Sequence, residues 1–309
     1  MPCPLTIVAD DYGIGRQTSR GILDLALEGR VTGVVLLVNC PDAERAAREW
    51  HAATPPADLG WHPNLTLDRP ILAPADVPSL VLPDGRFCPL GAFLRRVFLG
   101  RIRAADVQAE WRAQYQRFID LVGQPPALVT SHHHVSLFPP CDEALFDVLG
   151  DEVARPYVRR VVEHGSLLAR VSGARFKRTT LSLLGRRAAR RASARGLPGC
   201  DWLAGVTDPD CVTDDDLWTD WLALLSGAGS VELCCHPGYH DESLVGRDCD
   251  AGAGVLRRPQ EANVLRAPWF RTACGRAGFV PVRPTGLTRS DRFHKQVGTP
   301  DVAPSSGSV

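Results

Sequence analysis

The chain has 309 residues, 44% hydrophobic and 23% charged, which is enough apolar material for a sizeable buried core. Its 35 Lys and Arg balance its 35 Asp and Glu, so net charge gives no reason to place it on nucleic acid or an anionic membrane surface. The longest apolar runs, such as residues 33–38, are strand-sized and far short of a membrane span.

Residues 4–9 are short, apolar and β-branched, and predict a first strand running into Asp10-Asp11-Tyr12-Gly13. A helix is expected over about 16–28, with Ile22, Leu23, Leu25 and Ala26 facing inward. Residues 34–38 predict a second strand, 42–50 a helix, and Leu59 to His62 the end of a third strand. The Pro- and Gly-rich stretch 67–98 reads as a long inserted loop, a length that more often serves as a lid or specificity loop than as a neutral connection. A helix at 104–122, a strand at 127–130, a helix at 142–150 and a strand from Tyr157 follow. Residues 168–199 carry many arginines, among them Arg186, Arg187, Arg190 and Arg191. A solvated helix is the favoured reading there, with a mobile insertion or an anion-facing surface as the others. A helix at 213–226, a buried strand at 230–235, a helix at 259–277 and a short strand at 279–282 complete the pattern.

Strands alternating with helices imply an α/β fold on a mostly parallel sheet, open or closed into a barrel. One catalytic domain is expected over 1–287, with insertions near 67–98 and 168–199 and a disordered tail at 288–309. The ten cysteines are scattered without a CxxC pair, which argues against a structural zinc site of the usual spacing. With no charged-then-apolar leader at the start of the chain, they lead us to expect a reducing, cytoplasmic location.

Polar clusters follow four of the expected strands: Asp10-Asp11, His62, His132-His133-His134 and His236. In parallel α/β folds such strand ends line the active site. On a regular strand Asp10 and Asp11 would point opposite ways, and at most two of the three adjacent imidazoles could reach one site. One carboxylate and two imidazoles suit a catalytic divalent metal with open positions. A second carboxylate could take a proton from water, and a further His could protonate a leaving amine, so the inventory matches metal-assisted amide hydrolysis.

The motifs have a familiar order. Ile7-Val8-Ala9-Asp10-Asp11-Tyr12-Gly13 resembles the opening of the YdjC-like carbohydrate deacetylases, Gly60 to Thr66 their second motif, Ser131 to Val135 their His-rich motif, and Glu232 to Gly238 their late His-Pro motif. The resemblance implies a distorted TIM-like (β/α) barrel that hydrolyses N-acetyl groups on amino sugars or their conjugates. It implies Asp11, His62 and His132 as ligands of one divalent metal, Asp10 as general base and His236 as general acid. It places Arg159 in the substrate pocket, and we take Asn64 and His134 as further substrate contacts. Ligand type favours zinc, with magnesium or another divalent ion as alternatives. The implied partner is an N-acetylated sugar or glycoconjugate, with a homodimer as the family's habit. Two positions depart from the family pattern: Thr130 stands where an Asp is usual, and Ser136 where a His is usual. The competing readings are a phosphoesterase on the same ligand set and a non-catalytic sugar-binding relative.

Overall fold

The computed structural model describes residues 2–150 and 155–288, so most of the tail expected to be disordered lies outside the described residues. The elements in chain order are β1 (Cys3–Tyr12), α1 (Arg16–Leu27), β2 (Gly33–Leu36), α2 (Ala43–Ala53), β3 (Asp58–Trp61), α3 (Leu90–Phe98), α4 (Ala104–Val122), β4 (Leu128–Val129), α5 (Cys141–Leu149), β5 (Tyr157–Val158), α6 (Gly165–Arg170), α7 (Arg175–Ala194), β6 (Trp202–Ala204), α8 (Asp215–Leu224), β7 (Val231–Cys235), α9 (Ala253–Arg266), α10 (Pro268–Arg276), β8 (Phe279–Pro281) and α11 (Pro284–Thr288).

The sheet order is β5-β4-β3-β2-β1-β7-β6, with every strand pair among the described residues parallel. Leu5 on β1 pairs with Val231 of β7 on one side and Pro281 of β8 on the other, so β8 occupies the β2 side of β1 near its start. The strands at the two ends of the path, β5 and β6, do not form a ladder. Their margins are still tied: the Val158 N–H donates to the Pro198 carbonyl at 2.8 Å, and the Leu203 N–H to the Val162 carbonyl at 2.8 Å. The result is the distorted barrel expected from the motifs. β1 is buried on both faces, as a parallel strand covered by helices must be, and its apolar run is continuous rather than alternating.

The inward positions expected on α1 are all buried. The start of α1 has no cap from its own sequence; the Gln17 and Thr18 N–H groups donate instead to Asp241, from a loop more than two hundred residues away, at 2.9 and 3.1 Å. The helix expected over 259–277 is two helices. Pro268 cannot continue the first because it lacks an N–H and keeps Ala267 out of the helical region, so α9 ends and α10 starts there.

The stretch 67–98 is not an open loop. Its last nine residues are α3, and the rest is fastened to α4: Ile71 and Leu72 donate to Glu110 at 2.9 and 3.1 Å, and Ser79 to Asp106 at 2.9 Å. Val77, Leu80, Phe87 and Cys88 from this stretch are buried in the main core. The basic stretch is also partly internal. Arg178 of α7 is fully buried, paired with Glu163 at 2.7 Å and donating to the Val171 and Leu167 carbonyls at 2.9 Å each. Gly185 of α7 lies against the backbone beside β5, where a Cβ would stand 1.8 Å from the Val161 carbonyl oxygen. None of the ten cysteines is paired; seven are buried, and Cys3, Cys211 and Cys249 are partly exposed.

Candidate metal and catalytic centre

The expected residues converge on one cavity of about 240 Å³ at the C-terminal rim of the strands, lined by Asp10, Asp11, His62, His132, His134 and His236 among others. Both aspartates reach it, against the alternation expected of a regular strand. Between Ala9 and Tyr12 the pairing of β1 with β2 slips, and Asp11 sits at φ +67°, a left-handed conformation that costs energy for a residue with a Cβ. That kink turns both carboxylates the same way. All three adjacent imidazoles also line the cavity, because the chain after β4 is not extended. It turns tightly from His132 to Leu137 through a kink, with His133 and His134 in left-handed conformations at φ +53° and +54°. The His133 ring lies 4.0 Å from that of His132, and its Nδ1 contacts the Thr66 hydroxyl at 2.9 Å.

Asp11 is the hub of the ligand group. Its Oδ1 lies 3.0 Å from His132 Nδ1 and 3.3 Å from His62 Nε2. One donor atom from each of Asp11, His62 and His132 falls within 4.8 Å of the others, and all three residues are buried. His62 Nδ1 is engaged by Thr130 through its carbonyl at 2.6 Å and its hydroxyl at 2.7 Å. That contact leaves Nε2 aimed at Asp11, the arrangement by which an outer carbonyl orients a ligand imidazole. His132 Nε2 is buried without a hydrogen-bond partner. A compact set of one carboxylate and two oriented imidazoles, with a buried ring nitrogen that makes no hydrogen bond and lies 3.8 Å from Asp248 Oδ1, fits a divalent cation.

Asp10 is held differently. Arg159 donates its two terminal nitrogens to the two Asp10 oxygens at 2.6 and 2.8 Å and its Nε to Glu232 at 2.5 Å. Tyr157 donates to the other Glu232 oxygen at 2.5 Å. Burial pushes the Asp10 carboxyl up, but Arg159, with His62 and His236 beyond it, outweighs burial and holds it well below the usual carboxylate range. Arg159 therefore contacts Asp10 and does not itself line the cavity, where the resemblance implied a substrate contact. Asn64 does not reach the cavity either. It is fully buried, accepts from the Thr66 and Leu67 N–H groups at 2.9 and 3.1 Å, and fixes the turn after His62.

His236 stands across the cavity, its Nε2 3.9 Å from Asp10 Oδ2, and its backbone N–H donates to Glu261. Burial, reinforced by the nearby Arg257 charge, holds the imidazole well below its usual range, and its Nδ1 has no partner. Burial and Arg159 likewise lower His134, to about 3.

The lining residues without an assigned role in the sequence include the charged side chains Lys177, Asp208, Asp248, Arg257 and Arg258. Arg258 donates one nitrogen to both Asp11 Oδ2 at 2.9 Å and Asp248 Oδ2 at 2.8 Å, and Arg257 pairs with Glu261 at 2.6 Å. A signal existed for Arg258 and Glu261, since both fall on the inner stripe of α9 with Val255, Ala262 and Leu265, where a charge needs a partner. Glu232 had a similar one, a lone carboxylate inside an apolar strand. Asp248 had none, lying among other acidic residues in an irregular loop.

A parallel α/β barrel with a carboxylate–imidazole cluster and a separately held carboxylate on its C-terminal rim defines the class. A family model described as YdjC-like protein matches residues 4–276, and the chain belongs to that family. A chitooligosaccharide deacetylase of Yersinia pestis is 27% identical over 281 residues, which cover 89% of this chain and 95% of the relative. A carbohydrate deacetylase of Danio rerio is 32% identical over 171 residues, 53% of each chain. Among solved structures, a protein of Enterococcus faecalis V583 named for cellobiose-phosphate cleavage superposes with a TM-score of 0.70 at 22% identity, over 93% of this chain and 99% of its own; it shares the fold.

Proposed function

We propose that this chain is a metal-dependent N-deacetylase, hydrolysing the N-acetyl group of an amino sugar or amino-sugar conjugate to acetate and a free amine. One observation carries the reading: the Asp11, His62 and His132 group and the Arg159-held Asp10 share a cavity with His236 opposite. The names of the family relatives point the same way.

A divalent ion held by Asp11, His62 and His132, for which zinc is favoured by ligand type, would polarise the acetyl carbonyl and acidify a water. Asp10 accepts the proton of the attacking water. Its pairing with Arg159 keeps it ionised but makes it a weak base, so it depends on that water being acidified. The water oxygen bonds to the acyl carbon, the C–N bond breaks, and the leaving nitrogen needs one proton. Burial holds the His236 imidazole well below its usual range, so the proton it delivers is one it gains during the reaction; Asp10 stands 3.9 Å away, too far for a direct hydrogen bond. His134 remains the candidate substrate contact among the three assigned from sequence, since it alone of Arg159, Asn64 and His134 lines the cavity.

The deciding experiment is acetate release from a panel of N-acetylated sugars and glycoconjugates. It uses metal-stripped protein and the same protein with zinc, magnesium, cobalt or nickel restored. Acetate that returns with metal supports the reading; acetate release indifferent to metal overturns it. Phosphate release from phosphorylated sugars would instead favour a phosphoesterase, a reading that the cavity cations Lys177, Arg257 and Arg258 keep in play. A homodimer remains part of the proposal and is checked by sedimentation velocity. Among the described residues no helix is long and apolar enough to cross a membrane.

A further inference from the structure

The balanced net charge conceals an unbalanced surface. From Gly165 to Cys200 the sequence contains no Asp or Glu, and neither does α3. Arg178, Arg191 and Arg195 are satisfied by carboxylates, but Arg175, Arg186, Arg187 and Arg190 of α7, and Arg95 and Arg101 at the end of α3, make no ion pair among the described residues. α7 and the end of α3 also expose large apolar side chains: Phe176 is 88% exposed, Phe98 77%, Leu183 64% and Leu99 54%. These are half of the large apolar residues left exposed in the described chain.

Helical spacing makes the mixture directional. Phe176, Leu183, Arg187 and Arg190 lie at steps of seven, four and three, which places them on one outward stripe of α7. The opposite side of α7 is buried through Arg178, Leu181, Gly185 and Ala192. Leu94 and Val97 of α3 pack on the same apolar cluster as Leu184 and Ala188 of α7. Each helix also gives one residue to the cavity lining, Leu90 from α3 and Lys177 from α7, and Lys177 is the immediate neighbour of Phe176. The Phe176 end of the patch is therefore next to the cavity lining.

We propose that the outer face of α7, with the Phe98–Leu99 end of α3, docks this protein onto an anionic lipid surface. Arginines meet lipid headgroups while aromatic and aliphatic side chains enter the headgroup–acyl boundary, so this combination complements such a surface on both counts. A nucleic-acid backbone would use the arginines but leave Phe176, Phe98, Leu183 and Leu99 in water. A second copy of the chain is disfavoured by symmetry, because a two-fold contact would set the unpaired arginines against themselves. Docking here would bring the cavity mouth to headgroup level without any spanning segment.

The test is co-sedimentation of the full chain with vesicles of phosphatidylcholine alone and of phosphatidylcholine mixed with phosphatidylglycerol. Binding is expected only to the anionic vesicles and is expected to weaken as salt is raised. Each arginine near the surface is worth about fivefold in partitioning, so the triple change Arg186→Gln, Arg187→Gln and Arg190→Gln should reduce binding roughly a hundredfold. Phe176→Ser with Leu183→Ser should weaken binding while leaving the residual salt dependence intact. All these positions are outside the cavity, so acetate release from a soluble substrate and the melting temperature should match wild type. The proposal is overturned if the wild type ignores anionic vesicles or if the variants bind as well as it does. It is equally overturned if a DNA duplex binds more tightly than the vesicles, or if the patch variants abolish a dimer instead.

Discussion

Asp10 and Asp11 are adjacent, buried and both held below the usual carboxylate range, yet their partners differ. Asp11 faces two imidazoles and Arg258; Asp10 is clasped by Arg159 through both oxygens. Replacing Asp10 with Asn keeps shape and removes the proposed proton acceptor, so kcat should fall by roughly 10²–10⁴-fold while bound metal, measured by elemental analysis, stays at the wild-type level. Full activity in that variant would remove Asp10 from the reaction. Arg159→Lys tests the clasp. A depressed carboxyl stays ionised as pH falls, and it adds stability that is present above the ordinary Asp value and lost as pH drops through the folded value. With a single ammonium in place of the fork, the acid limb of kcat/KM should move to higher pH; an unmoved limb would mean that Arg159 does not set the Asp10 ionisation. Thr130 is the instructive departure from the family pattern. Its hydroxyl and carbonyl both face His62 Nδ1, so Thr130→Val removes one of two orienting contacts and should weaken metal binding about tenfold, measured by competition with a chromogenic chelator.

At the scale of elements, the loop after β7 does more than carry Asp248. Asp241 closes the open start of α1, and Ser243 and two backbone N–H groups hold it below the usual carboxylate range against its burial. Asp241→Ala should cost about 1 kcal/mol of stability, as the loss of a helix cap does, seen as a lowered urea midpoint with an unchanged m-value. Most elements were legible because their periods were clear. α1, α4, β1 and β7 follow from apolar runs and stripes, and the four polar clusters after strands marked the rim. What was not legible depended on contacts remote in sequence. The kink at Asp10-Asp11 exists because β1 shifts register against β2, and no local pattern announces it. β6 is three residues whose pairing with β7 defines them as a strand. Arg159 looked like a pocket residue because its partners, Asp10 and Glu232, are 149 and 73 positions away.

The barrel as a whole closes without a full ladder between β5 and β6. Two backbone hydrogen bonds and the pressure of α7 on the chain after β5 do that work. Gly185 is where that pressure is concentrated, and Gly185→Ala would force α7 away from Val161. The expected result is a large loss of stability, of the order of an overpacked core or about 1–3 kcal/mol, with the fall in melting temperature larger than for Gly→Ala at the open position Gly91.

The unpaired cysteines turn this architecture into its own reporter. A thiol must be both exposed and ionised to react with an alkylating agent, and burial drives the Cys200, Cys234 and Cys235 thiols up as well as hiding them. Cys3, Cys211 and Cys249 are partly open to solvent and should be labelled first. Cys235 lies in the interior strand β7, its thiol on the Val8 carbonyl and away from the cavity, so it should wait for the sheet itself to part. Mass spectrometry of progressively alkylated protein would then read, from a single untouched sequence, which parts of the barrel breathe and which yield only when the whole fold does.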